Sequence, residues 1–325
     1  MTNGIVETTF KIDHERWGHI HVHNARLEAN ESFAPNRVVV CQHGATYGSL
    51  AFSQRFNGLS FLDYLARLGF DAYCLDSPGY GQSTRPAQME APASENPPFM
   101  RTPEAADCLG HVVDWISARR RVERVGLIGW SWGTAITGYY TAQNHEKVER
   151  LVLHAPIWDR SASTTPSVIH VDGPIGAYRV VDKERTRARR HGGLSPENVD
   201  VMPPEWFDQW WAATAAADPI GGGETIRAPN GVVQDGAEFW NVGKPLYDPA
   251  ALKTPVLVVV GEWDNDTPPA LAQALFPLIV NAPWKRLTVL SGGTHSMIME
   301  RRRMLLFRTI TQFLTEAEPS AESLE

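Results

Sequence analysis

Cysteine is scarce in this chain: there are three in 325 residues, and Cys41, Cys74 and Cys108 lie far apart. An odd, widely spaced set excludes a disulfide framework and a close-spaced thiolate metal site. None of the three sits on a turn resembling a nucleophile site, so they are expected to be buried thiols in a reducing cytoplasm. An apolar run of about 18 residues is also missing, which excludes a membrane-spanning helix. Residues 1–11 hold no apolar segment of the signal-peptide kind, so no secretory signal is expected. Basic charge is in deficit: 30 Lys and Arg against 37 Asp and Glu give a net charge of −7. That argues against nucleic acid and anionic membrane surfaces as partners. No internal repeat is visible. What remains is a globular composition long enough for one large domain with an insert.

Apolar and helical patterns alternate along most of the chain. Residues 8–13 and 18–23 read as a leading hairpin. Its second strand places His19, His21 and His23 on one face, expected to be solvated since no further ligand pattern accompanies them. Residues 37–41, 71–75, 124–128, 150–154, 255–260 and 285–290 are short apolar runs. Helical patterns fall at 60–68, 103–116, 134–143, 271–278 and 296–314. Near-continuous apolar strands separated by helices argue for an α/β fold with a mostly parallel central sheet covered by helices on both faces. The rhythm stops at residue 156 and resumes near 249. Residues 157–248 are polar, broken by Pro and Gly, and carry little strand signal. The expected organisation is a core of 1–156 and 249–325 with a helical cap inserted at 157–248. The tail, 315–325, is acidic and expected to fray.

The chemistry centres on Gly129-Trp130-Ser131-Trp132-Gly133, which follows the strand at 124–128. A serine there sits on a tight strand-to-helix turn with its hydroxyl exposed. A serine hydroxyl is a weak nucleophile at neutral pH and needs a base, which in turn needs an orienting acid. In such sheets the reactive groups follow the carboxyl ends of strands. Gly261-Glu262-Trp263-Asp264-Asn265-Asp266 follows one strand and Gly293-Thr294-His295 another. His295 is therefore the expected base and Asp264 the expected acid. Glu262 and Asp266 are the alternatives, Asp266 also being placed to cap the next helix. An oxyanion hole needs two amide donors. Trp132 N–H follows the nucleophile, and Ala45 N–H is the second candidate, in the loop His43-Gly44-Ala45-Thr46. His43 is expected to fix that loop by hydrogen bonding.

These pieces, together with Asp76-Ser77-Pro78-Gly79-Tyr80-Gly81-Gln82-Ser83, resemble the α/β-hydrolase superfamily in its capped branch. That branch includes proline iminopeptidases, carbon–carbon bond hydrolases, epoxide hydrolases and haloalkane dehalogenases. The matching pieces span residues 43–295. The resemblance implies the α/β-hydrolase fold and a triad of Ser131, Asp264 and His295. Ser131 departs from the aspartate nucleophile of the epoxide and halide branches. The small-residue-Pro that commonly follows His-Gly is replaced by Ala45-Thr46-Tyr47.

The expected activity is a serine hydrolase cleaving a carboxylic ester or lactone through an acyl-enzyme. Amide or peptide cleavage, carbon–carbon bond hydrolysis and a non-catalytic receptor or scaffold are the alternatives. No cofactor or metal is implied. The expected partner is a small-molecule substrate, and a homodimer is compatible with the sequence. His43, Trp130, His154, Trp158, Trp206 and Trp210 are the expected pocket residues, so a hydrophobic or aromatic substrate is expected. Trp211 belongs to the same group. Arg160, Arg179 and the arginines of 185–190 are expected on solvated helix faces. A pocket ending in paired carboxylates would favour an amine-bearing substrate; one ending in arginine would favour a carboxylate.

Overall fold

The structure, a computed structural model, describes residues 4–318 apart from 162, 164–168, 170, 172, 193, 196 and 197. In chain order its strands are β1 (Ile5–His14), β2 (Gly18–Leu27), β3 (Val38–Gln42), β4 (Asp71–Asp76), β5 (Val125–Trp130), β6 (Val148–His154), β7 (Tyr178–Asp182), β8 (Thr225–Pro229), β9 (Val256–Gly261) and β10 (Lys285–Leu290). Eight of them form one sheet in the order β1-β2-β4-β3-β5-β6-β9-β10. The β1–β2 hairpin joins antiparallel, and from β4 to β10 every pairing is parallel.

Every residue of β3, β4, β5 and β9 is buried, as helices on both faces require. The side chains alternate between two cores. Val38, Val40, Leu127, Leu151 and Val258 face one, while Val39, Cys41, Ile128, Val152 and Leu257 face the other. The first core is covered by α3 (Thr102–Arg120), α4 (Trp132–Gln143) and α8 (Pro269–Leu275). The second is covered by α1 (Leu50–Ser53), α2 (Phe61–Arg67) and α9 (Arg303–Thr315). All three cysteines are free and buried, and burial pushes the Cys41 and Cys74 thiols up, away from the reactive thiolate.

Between β6 and β9 lie β7, α5 (Lys183–His191), α6 (Pro204–Ala216), β8 and α7 (Gly231–Glu238). The expectation of a purely helical insert is corrected here, because β7 and β8 pair antiparallel. Each is five residues long, and the interleaved arginines hide their alternation. The insert is tied to the core through α3. Asp235 of α7 accepts from Thr102 N at 2.7 Å and from Arg101 Nε at 2.6 Å. A carboxylate on the first N–H groups of a helix satisfies orphan donors and complements its dipole. Thr102 is itself the first residue of α3, and its hydroxyl accepts from Trp132 Nε1 at 2.9 Å.

Three further expectations are corrected. The last helix starts at Arg303, after a 3₁₀ turn at Met297–Met299. The histidine face of β2 is only half exposed, because His21 lies 3.3 Å from Asp76 and His23 3.4 Å from Glu7. The tail is held as far as Glu316, which pairs with Arg286; the remainder of that expectation, at 319–325, lies outside the described residues. Among the described residues, no helix is long and apolar enough to cross a membrane.

Candidate active site

Ser131 sits between β5 and α4 with φ +57°. A non-glycine residue held there stores on the order of 1–3 kcal/mol of backbone strain. The surroundings fix it. Its N–H donates to His154 O at 2.9 Å, and its carbonyl accepts from Thr134 N at 2.8 Å. The flanking glycines are required by close approach. A Cβ on Gly133 would stand 2.3 Å from Gln42 O, and one on Gly129 would stand 2.5 Å from Gly133 O. Strand and helix can meet this tightly only without those side chains.

The structure brings together the three residues proposed from the sequence. His295 Nε2 lies 2.8 Å from Ser131 Oγ. Its Nδ1 lies 2.9 Å from Asp264 Oδ2 and 3.1 Å from Oδ1. A carboxylate only accepts, so Nδ1 carries the proton and Nε2 is left to accept from the serine hydroxyl. All three side chains are buried. Asp264 is fixed further by Thr267, whose N–H and hydroxyl donate to it at 2.7 and 2.9 Å. Trp130 Nε1 donates to the main-chain carbonyl of His295 at 2.8 Å.

The two alternative acids are occupied elsewhere. Glu262 accepts from Ser291 Oγ and Gly292 N. Asp266 does not cap a helix: it pairs with Arg189 Nη2 at 2.6 Å and stands 3.8 Å from His295 Nε2. Burial works against both members of this ring of charge but is outweighed. Asp264 and Asp266 raise the His295 pKa above its ordinary value, and Arg189 then His295 hold Asp266 below its own.

On the far side of Ser131 the loop after β3 comes close. A Cβ on Gly44 would stand 2.9 Å from Ser131 Cβ. Ala45 lines the cleft with Ser131. Trp132 opens α4, so its N–H has no acceptor within the helix. Thr46 takes φ +78°, unusual for a β-branched residue. His43 fixes this loop: Nε2 accepts from Ser77 N at 3.0 Å and Nδ1 donates to Gly44 O at 2.7 Å. Burial lowers its pKa, so it is a neutral strut.

Of the six expected pocket residues only Trp130 lines the cleft. His43 is buried behind the loop. His154 lies beneath Ser131, where burial and then His295 push its pKa down to about 4. Trp158 donates to Tyr247 O. Trp206 stacks on Phe56 with ring centroids 5.0 Å apart, and Trp210 meets Tyr47 edge-on at 4.8 Å. Trp211 is buried against Trp210. Trp206 and Trp210 thus join insert to core, as their large buried area favours.

The residues that do line the cleft were legible only in part. Tyr47, Trp263, Arg189 and Arg190 share one side of it with Ser131 and His295. Ile157, Arg160, Val232 and Trp240 share the other. The expectation of solvated arginines fails at Arg160, which is buried, and at Arg189 and Arg190, whose helix α5 faces inward at these positions. Their crowding next to Arg185 and Arg187 made the whole run look like an exposed face.

A family model for the α/β-hydrolase fold matches residues 37–192. No curated protein matches the chain. Among solved structures, a thermophilic esterase from Thermogutta terrifontis is 17% identical, with 96% of this chain and 100% of that chain covered and a TM-score of 0.59. A meta-cleavage product hydrolase from Pseudomonas fluorescens is 14% identical, covering 91% and 93%, with a TM-score of 0.59. E-2-(acetamidomethylene)succinate hydrolase is 17% identical, covering 96% and 100%, with a TM-score of 0.59. At such identities the likeness is one of fold. The parallel sheet with its leading antiparallel hairpin, the insert after β6 and the matched segment around the Ser131 turn agree, and the chain has the α/β-hydrolase fold.

Proposed function

We propose that the protein is a serine hydrolase that cleaves a small carboxylic ester or lactone through an acyl-enzyme. One observation carries the reading: His295 bridges Ser131 at 2.8 Å and Asp264 at 2.9 Å, with its proton on the Asp264 side. Ser131 Oγ attacks the acyl carbonyl as its proton passes to His295 Nε2. The tetrahedral oxyanion takes hydrogen bonds from the Ala45 and Trp132 amides. Collapse breaks the ester bond, and Nε2 gives its proton to the departing alkoxide. Water then attacks the acyl-enzyme, losing a proton to Nε2. The second collapse frees the acid and returns the proton to Ser131. Asp264 stays ionised and stabilises the imidazolium at each stage.

Residues 157–248 act as the cap, closing the cleft with Ile157, Val232 and Trp240 on one side and α5 on the other. The cleft supports an ester over an amino-terminal amide. Capture of a substrate ammonium needs free carboxylates, whereas Asp266 is held by Arg189. The similar structures include enzymes named for different substrates, so the fold itself does not choose among reactions.

A fluorophosphonate probe tests the reading. Wild type is expected to be labelled stoichiometrically at Ser131 and to lose hydrolysis of p-nitrophenyl esters in step with labelling. Absence of labelling in folded protein, or equal labelling of Ser131→Ala, would sink it.

A further inference from the structure

Two cavities meet at Ser131 and His295, and their walls differ in kind. Arg189 and Asp266 border both; beyond them, one gathers the apolar side chains Ile157, Val232, Val233 and Trp240 with Arg160 and Asn241. The other carries Arg190 beside Tyr47 and Trp263. Arg189 is neutralised by Asp266 at 2.6 Å. Arg190 is not: among the described residues no carboxylate pairs with it. Its guanidinium lies 4.3 Å over the Trp210 ring and its Nη1 contacts Met202 Sδ. Its Nε is closed off from solvent and has no hydrogen-bond partner. The two acids whose charge reaches it are both engaged: Glu300 by Thr294 N and Oγ1, and Asp266 by Arg189.

The positive character extends beyond Arg190. Arg179, Arg185 and Arg189 line an adjoining cavity whose described walls contain no acid. Arg179 itself donates only to neutral acceptors, namely Thr46 Oγ1, Asn230 Oδ1 and main-chain oxygens. A chain of net charge −7 thus gathers arginines near its nucleophile, and of the two in the cleft with Ser131 only Arg190 lacks a carboxylate partner. A partly desolvated cation without a counter-ion is costly, and a planar guanidinium is the side chain best matched to a carboxylate.

We propose that Arg190 is an anion subsite, and that the natural substrate is an ester with an apolar half in the Trp240 cavity and a carboxylate held at Arg190. This rests on the serine hydrolase reading and names its substrate class. Binding the carboxylate supplies the counter-ion that Arg190 lacks. The scissile carbonyl then lies between the two ends, over Ser131.

The test compares matched ester pairs of one length and leaving-group class. On the acyl side these are mono-p-nitrophenyl suberate and p-nitrophenyl octanoate. On the alcohol side they are 4-carboxyphenyl acetate and 4-carbamoylphenyl acetate. The expected result is at least a tenfold higher kcat/KM for the anionic member of one pair. Arg190→Met, which keeps an apolar stem against Trp210, is expected to bring that ratio near one. Arg190→Lys, which keeps the charge but not the fork, is expected to fall between and serves if the Met variant does not fold. Equal or higher kcat/KM for the neutral member in both pairs would overturn the proposal. So would an anion preference that survives both substitutions. Labelling of Ser131 by a fluorophosphonate separates the two readings. Labelled protein without anion preference loses only the subsite, whereas folded protein that neither labels nor turns over any ester loses both.

Discussion

The indole N–H of Trp130 donates to the main-chain carbonyl of His295 over 2.8 Å. One residue before Ser131 thus holds the backbone of the residue whose ring accepts from Ser131. The sequence suggests that Trp130 touches the substrate, and it does line the cleft, but this bond gives it a positioning role as well. Trp130→Phe keeps most of the ring and removes the donor. Turnover of a p-nitrophenyl ester is expected to fall between about tenfold and a hundredfold in kcat, the scale of a small misplacement of a catalytic group. KM should change by less than about twofold. A kcat equal to wild type would show that the bond does not position His295.

The two acids of the β9 loop separate cleanly. Asp264 accepts from Nδ1 and fixes the tautomer; Asp266 stands 3.8 Å from Nε2 and faces Arg189. Asp264→Asn is expected to cost about 10³- to 10⁴-fold in kcat, because an amide there no longer selects the Nδ1–H form. Asp266→Asn is expected to cost less than about tenfold, chiefly through electrostatics. The opposite ranking in steady-state kinetics would move the orienting role to Asp266.

Gly133 is fixed by sterics rather than by chemistry. A Cβ there meets the main-chain oxygen of Gln42 in the central strand β3 at 2.3 Å, and strand backbone cannot rotate away as a side chain can. Gly133→Ala is expected to lose about 1–3 kcal/mol or more of stability, in the range of overpacked cores. Urea unfolding followed by tryptophan fluorescence reads this directly. A midpoint unchanged from wild type would mean that β3 and α4 separate more easily than their contacts imply.

The core was legible because its strands are apolar on both faces and its motifs follow them in order. Ser131, Asp264 and His295 each come just after a strand, and parallel strands bring those ends to one edge. The pocket was not legible. Aromatic count points to Trp206 and Trp210, yet a large ring serves equally to seal insert against core, and only packing tells the two uses apart. Arg189 and Arg190 failed for the opposite reason. Charge argues for solvent, but helix α5 turns these two inward, and sequence alone cannot say which face of a short polar helix is covered. Asp235 as cap for α3 joins residues more than a hundred positions apart, beyond the reach of any local pattern.

The pH profile follows from the raised His295 pKa. General-base attack needs the neutral imidazole, so kcat/KM is expected to rise with pH and to level off above the ordinary histidine value of 6.5. Asp266 stabilises the imidazolium and Arg189 opposes it. Asp266→Asn is therefore expected to move the acid limb to lower pH, and Arg189→Met to move it to higher pH. Stability runs the other way from activity. A raised native pKa means that the native state binds the proton more tightly than the unfolded chain does. The resulting stabilisation is fully present below the unfolded value and is lost as pH rises through the native one. His295→Gln removes this contribution. The difference in melting temperature between wild type and His295→Gln should thus shift in favour of wild type at pH 5 relative to pH 9. An acid limb that stays in place in Asp266→Asn would show that the Asp266 carboxylate does not reach His295 electrostatically across their 3.8 Å separation.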